Sequence, residues 1–163
     1  DLSLRLRTAG AVIRRMNALD DGTWDLDFGD SNLKDISSLT GAPISALRID
    51  QTQVTDLAPL RGMPLERLEI GHLNIPDLSP LQGMALREFQ ATEGRFTDLS
   101  VLRGMPLERL FIAKSKVSDL SPLRGMPTTA ANDPPEIASS AASPKSPFTW
   151  ISTWGGPAPL QRL

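Results

Sequence analysis

RGMPLERL, Arg61 to Leu68, returns letter for letter at Arg103 to Leu110, 42 positions later. A worn copy, QGMALREF, lies midway at Gln82 to Phe89, and TGAPISAL precedes the series at Thr40 to Leu47. The step is 21 residues each time, and a second block keeps it: DISSL at Asp35, DLAPL at Asp56, DLSPL at Asp77, DLSVL at Asp98 and DLSPL at Asp119. Repeats of this length and fixed period imply a solenoid, in which each unit buries its apolar face only by stacking on the next.

The unit explains itself residue by residue. Counted from Leu65, apolar residues follow at Leu68, Ile70, Ile75, Leu78, Leu81 and Met84 before Leu86 opens the next copy. Leu68 and Ile70 alternate with Arg67 and Glu69, a period of two that predicts a short strand with one face inward. Asp77, ahead of Leu-Ser-Pro-Leu, is placed to accept from backbone N–H groups two or three residues on, a contact worth about 1 kcal/mol. Pro80 lacks only an N–H that a first turn leaves unpartnered, and Gly83 supplies a left-handed exit. Together they predict a short helical or 3-10 turn on the outer side. About seven or eight buried hydrophobes at about 1.5–3 kcal/mol each do not offset about 1.5 kcal/mol per ordered residue, so one unit alone is expected to be unfolded. L-x-x-L-x-L followed by spaced hydrophobes is the leucine-rich-repeat pattern. The expected fold is an α/β solenoid, a horseshoe with a short parallel sheet on its concave face and short turns or 3-10 helices on its convex face.

Working outward, full units run Asp35 to Thr55, Asp56 to Pro76, Asp77 to Thr97 and Asp98 to Ser118, with a truncated fifth from Asp119 to Pro127. A half unit precedes them from Thr23, with Leu26, Phe28 and Leu33 at its apolar positions, so the solenoid is expected to occupy residues 23–127. Residues 1–22 are expected to form a capping helix: Val12, Ile13, Met16 and Leu19 fall at helical spacing, Arg14 and Arg15 turn away, and Asp20, Asp21 and Gly22 end it. Leu2, Leu4 and Leu6 fit either a strand or the start of that helix. From residue 128 to 163 the period stops and Pro, Ala and Ser dominate, as in NDPPEIASSAASPKSPF, the composition of a linker or disordered tail. Trp150 and Trp154 interrupt it and are candidates to fold back over the solenoid's end.

The totals narrow the partners. The net charge of −2 over 163 residues gives no basic field for nucleic acid or an anionic membrane surface. No apolar run approaches the roughly 18 residues a membrane span requires. Cysteine is absent, which removes disulfides, thiolate ligands and thiolate nucleophiles. His72 is the only histidine, without a second ligand or a Ser-base-acid constellation. Gly62, Gly83 and Gly104 are spaced by the repeat and form no phosphate loop. A non-enzymatic, monomeric reading without cofactor or metal follows, its compartment left open. The start at Asp1 suggests a piece of a longer protein.

The phrases VTDLAPL, VSDLSPL and RGMPLERL resemble internalin-like leucine-rich repeats, one residue shorter per unit. The G-M-P-L version is similar to repeats of large planctomycete-type bacterial proteins, where they accompany a kinase or a formylglycine-generating-enzyme-like domain. The resemblance covers Thr23 to Pro127 and implies a recognition fold. Such repeats usually carry Asn, Cys, Thr or Ser at the ninth position, bonding to the adjoining turn. Here that row reads Ser31, Thr52, Leu73, Gly94 and Ser115. Looser geometry is expected in the middle units, with an irregular turn near Thr92, Gly94 and Arg95.

Side chains between the strand hydrophobes are expected to line the concave surface in rows. One row is Asp25, Ala46, Arg67, Glu88, Arg109; the next is Asp27, Arg48, Glu69, Gln90, Phe111; a third, past the strands, is Asp30, Gln51, His72, Glu93, Lys114. Opposite charges on neighbouring rungs predict cross-strand ladders worth about 0.2–1 kcal/mol per pair. Phe111 breaks a polar row and is the best contact candidate. The protein-binding set is therefore Arg48, Arg67, Glu69, Glu88, Gln90, Arg109, Phe111 and Lys114. The surface also grades from acidic at Asp25, Asp27 and Asp30 to basic at Arg109, Lys114 and Lys116. The outer row Arg61, Arg103 and Arg124, with Gln82 between, reads as solvated charge. The function expected is non-catalytic binding of a protein partner through the concave sheet, within a larger bacterial signalling protein. The alternatives are a spacer with no partner, or a fragment of a kinase or formylglycine-generating-enzyme-like protein whose catalytic domain is missing.

Overall fold

Leucine and phenylalanine 21 residues apart come to lie side by side. The computed structural model, which describes Leu2, Leu6, residues 12–124 and the backbone of Glu136–Ser139, pairs Leu26 with Leu47, Leu47 with Leu68, Leu68 with Phe89 and Phe89 with Leu110. The strands are β1 (Arg15–Ala18), β2 (Trp24–Asp27), β3 (Ile44–Arg48), β4 (Arg67–Glu69), β5 (Glu88–Thr92), β6 (Arg109–Ala113) and β7 (Glu136–Ser139). They form one sheet in chain order, with β2 to β7 parallel. Opposite the sheet, each unit makes one 3-10 turn: Ser37–Leu39, Ala58–Leu60, Ser79–Leu81, Ser100–Leu102 and Ser121–Leu123. This is a leucine-rich-repeat solenoid with the expected concave sheet and convex turns.

Every apolar position predicted for the unit opening at Leu65 is buried, with Leu65, Leu68 and Leu81 fully so, and the units share one continuous core. On the convex side Asp35, Asp56, Asp77, Asp98 and Asp119 each accept the backbone N–H two residues on, at 2.7–2.8 Å. Four of them also accept the hydroxyl of that serine. These are Asx turns that start the 3-10 segment. Gly83 leaves its turn with φ of 77°, as its placement predicts, and its counterparts in the other units do the same.

A second left-handed row was not foreseen. Asp30, Gln51, His72, Glu93 and Lys114 have φ of 51–58°, a conformation that costs a non-glycine residue about 1–2 kcal/mol. It turns the chain out of the strand while keeping the rungs bonded. Asp30, Gln51, His72 and Glu93 donate their N–H to the carbonyls of Asp50, Gly71, Thr92 and Ala113 on the next rung, at 2.7–3.0 Å.

The middle units are not looser. Ser31 and Thr52 tie their hydroxyls back to the carbonyls of Phe28 and Ile49 at 2.6 and 2.8 Å, but His72 and Glu93 hold the same φ beside Leu73 and Gly94. Leu73 is buried in the core instead of bonding the turn. At Gly94 an added Cβ would stand 2.0 Å from the ring of Phe96. The glycine therefore makes room for the one aromatic residue in the row Val54, Ile75, Phe96, Val117, all of them buried.

The N-terminal segment differs from the expected helix over 12–19. Arg15–Ala18 is a strand, antiparallel to β2, with Met16 opposite Leu26 and Ala18 opposite Trp24. Asp20, Asp21 and Gly22 form the hairpin turn rather than a helix end, with Gly22 at φ of 82°. Of the supposed apolar stripe, Val12 and Leu19 are exposed while Ile13 and Met16 pack on the core. An unpaired edge of β2 would leave backbone groups without partners, and the hairpin supplies them. Leu2 and Leu6 are helical, and Leu6 is buried. At the other end the sheet continues past residue 127 into the segment expected to be linker, since Glu136–Ser139 pairs with β6. Trp150 and Trp154 lie outside the described residues.

Two outcomes test this account. Gly94→Ala should cost about 1–3 kcal/mol by overpacking, and combining it with Phe96→Val should cost less than the sum of the two single changes in urea unfolding; additivity would contradict the contact. The carboxyls of Asp35, Asp77, Asp98 and Asp119 are held below their ordinary range by the serine N–H first and its hydroxyl second. Their folded pKa lies below the unfolded value of about 3.9, so the stability they contribute is complete above that value and is lost as pH falls through the folded pKa. Urea midpoints measured from pH 5 to pH 2 should fall less steeply for Asp98→Asn than for the parent.

Candidate functional site

Because strand side chains alternate, every second residue of β2 to β6 faces the concave side. The register sets Asp25, Ala46, Arg67, Glu88 and Arg109 in one row and Asp27, Arg48, Glu69, Gln90 and Phe111 in the next, as the spacing predicts. In the first row Arg67 makes a two-pronged contact with Glu88 at 2.9 and 3.1 Å, and Arg109 donates to the same carboxylate from the other side. In backbone register, Glu136 of β7 lies opposite Arg109.

Arg48 anchors the second row. Its Nε and Nη2 reach Asp50 at 2.5 and 3.1 Å, with Glu69 at 3.6 Å and Asp27 at 4.0 Å from Nε. The hydrogen bond to Asp50 raises the Arg48 pKa most; burial opposes it, and the charges of Asp50, Asp27 and Glu69 add to it. Burial works to raise the Asp50 carboxyl, but the Arg48 guanidinium outweighs it and holds the pKa below the ordinary value. Gly29 permits this cluster: a Cβ there would stand 2.7 Å from Asp50 Oδ1 and 3.1 Å from Asp27 Oδ1.

In the third row Glu93 receives Lys114 at 2.8 Å and His72 Nδ1 lies 3.0 Å away. The Lys114 hydrogen bond, then that of His72, lowers the Glu93 pKa, and Glu93 in turn raises that of Lys114. A fourth ladder escaped the sequence reading: Arg87 reaches Glu108 at 2.6 Å and Glu66 at 3.6 Å. The signal for it was the same 21-residue step.

Of the predicted contact residues, Arg67, Glu88 and Arg109 come together, as do Arg48 and Glu69, and Lys114 joins Glu93. Gln90 is exposed and Phe111 half-buried, adjacent in register and outside every ladder. They form an uncharged window between the Glu88 and Glu93 ladders. The expected acid gradient is damped, because Asp25 and Asp27 lie 3.6 and 3.9 Å from Arg15 and Asp30 lies 3.2 Å from Arg14. A helical reading had turned both arginines to solvent. Arg61, Gln82, Arg103 and Arg124 are exposed on the outer side. Among the described residues no group of three or more His, Asp or Glu is disposed to hold a metal ion, and no helix is long and apolar enough to cross a membrane.

Fold and register together define a leucine-rich-repeat solenoid. The chain is similar in structure to internalin C2 from Listeria monocytogenes, with a TM-score of 0.61 and 30% sequence identity over 63% of this chain and 47% of that one. It thus spans about half the length of that neighbour. No family model matches the chain, and no curated protein does.

Glu88→Gln removes the charge shared by two arginines that are about half exposed. It should lower stability by no more than about 1–2 kcal/mol, and the loss should shrink in 1 M NaCl as screening rises. A larger, salt-independent loss in urea unfolding would show that the ladder is not electrostatic.

Proposed function

We propose that this chain is a non-catalytic protein-binding module whose concave sheet contacts the partner through Arg48, Arg67, Glu69, Glu88, Gln90, Arg109, Phe111 and Lys114. The observation that carries the reading is the window at Gln90 and Phe111, where two successive rungs of the second row carry no charge. An aromatic centre with a polar rim is the anatomy of a contact hot spot. The charged ladders hold the rim side chains in place before binding, which reduces the ordering cost of association. The resemblance of the G-M-P-L repeats to planctomycete-type multidomain proteins supports a place within a larger bacterial signalling protein. Internal pairing of the charges favours one competing reading, a spacer that binds nothing.

Replacing Phe111, Arg67 and Arg109 together by alanine distinguishes the two. A partner captured by the parent chain and then purified should bind the triple variant at least about a hundredfold more weakly, while circular dichroism shows the variant folded. Undiminished binding by the variant would refute the concave contact.

A further inference from the structure

We propose that the concave face selects a protein segment presenting carboxylates beside an aromatic or bulky aliphatic side chain. The apolar group would sit on Phe111 and the carboxylates against Arg67 and Arg109. This rests on the concave sheet being the binding surface, and it fixes the chemistry and direction of the partner.

The argument lies in how unevenly the ladders share their charges. At β3 Arg48 faces three carboxylates, Asp27, Asp50 and Glu69, with Arg15 a second guanidinium 3.9 Å from Asp27. At β5 the ratio reverses, and one carboxylate, Glu88, is shared by the guanidiniums of Arg67 and Arg109. The face therefore has a negative and a positive cluster whose centres, Arg48 and Glu88, are two strands apart, about 10 Å, and which meet on β4, where Arg67 and Glu69 are two residues apart.

The uncharged window borders Glu69, in register with Gln90 on one side, and Arg109, two residues before Phe111, on the other. Gln90 follows Glu88 by two residues on β5, and Phe111 follows Arg109 by two on β6, so all four face the same side. The side chains of Arg67 and Arg109 are 48% and 61% exposed. A guanidinium carries five N–H donors; two from Arg67 and one from Arg109 are spent on Glu88. The remaining donors match a carboxylate in two-pronged geometry. An incoming ammonium would meet two like charges there, and a carboxylate would meet three at the other cluster, so a segment bound in reverse is penalised.

The test uses the full 163-residue chain, isotope-labelled, and three end-blocked peptides: Glu-Trp-Glu-Glu, Ser-Trp-Ser-Ser and Lys-Trp-Lys-Lys. In NMR titrations the glutamate peptide should shift the amides of Gln90, Phe111 and Ala113 and bind about tenfold more tightly than the serine peptide. Arg109→Glu should abolish that preference, and the milder Arg109→Gln, checked by an otherwise unchanged spectrum, should reduce it. Equal binding of the three peptides through Phe111 overturns the charge selection and leaves the concave surface standing. Preference for the lysine peptide, or no shift with the glutamate peptide, overturns the proposal as well. If Phe111→Ala alters the binding of none of the peptides, the surface assignment falls with it.

Discussion

Hydrogen bonds between adjacent rungs govern everything else in this molecule. They begin ahead of the strand, where Glu66 donates to Ser45 and Arg87 to Glu66, and they continue beyond it, where His72 donates to Thr92. A strand of three residues such as β4 contributes little by itself. The left-handed residue after each strand prolongs the contact by bending the chain without breaking the lattice. The strain at Gln51 or His72 is stored backbone energy that neighbouring units over-determine. From β3 to β6 the constant step of 21 keeps each donor opposite its carbonyl.

The same alignment dictates the concave face. Side chains 21 residues apart are held about 4.8 Å apart by the sheet, close enough that any charge acquires its neighbour as partner or rival. Glu88, Glu93 and Arg87 each take partners on adjacent rungs. A surface built this way is stiff and largely self-satisfied, and in its second row the pairing lapses at Gln90 and Phe111.

The parts of the fold that obey the period were legible from the letters: the stacking of Leu68, Phe89 and Leu110, the concave rows, the Asp-initiated turns. What escaped has no copy to compare with. Arg15–Ala18 carries spacing that suits a helix as well as a strand, and the bare edge of β2, a tertiary demand, decides between them. Glu136–Ser139 follows β6 by 27 residues rather than 21, so the periodic pattern gave no hint of it. The ninth-position rule failed at Leu73 and Gly94 for a different reason. The sequence shows which hydrogen bond is lost, but not that Leu73 is buried instead or that Phe96 occupies the space over Gly94. The candidate contacts were legible as rows, and the identity of the uncharged window emerged only when the partners of the surrounding charges were known.

The alternation of arginine and glutamate along the rungs gives the solenoid a parity. Arg67 and Arg109 flank Glu88, and Glu66 and Glu108 flank Arg87, which is why the octapeptide recurs at 42 residues with an altered copy between. Deleting a single copy by unequal crossing-over would press arginine against arginine and glutamate against glutamate, whereas gaining copies two at a time would preserve the order. Across these three rungs the doublet, and not the single turn, is the unit that preserves the order of charges.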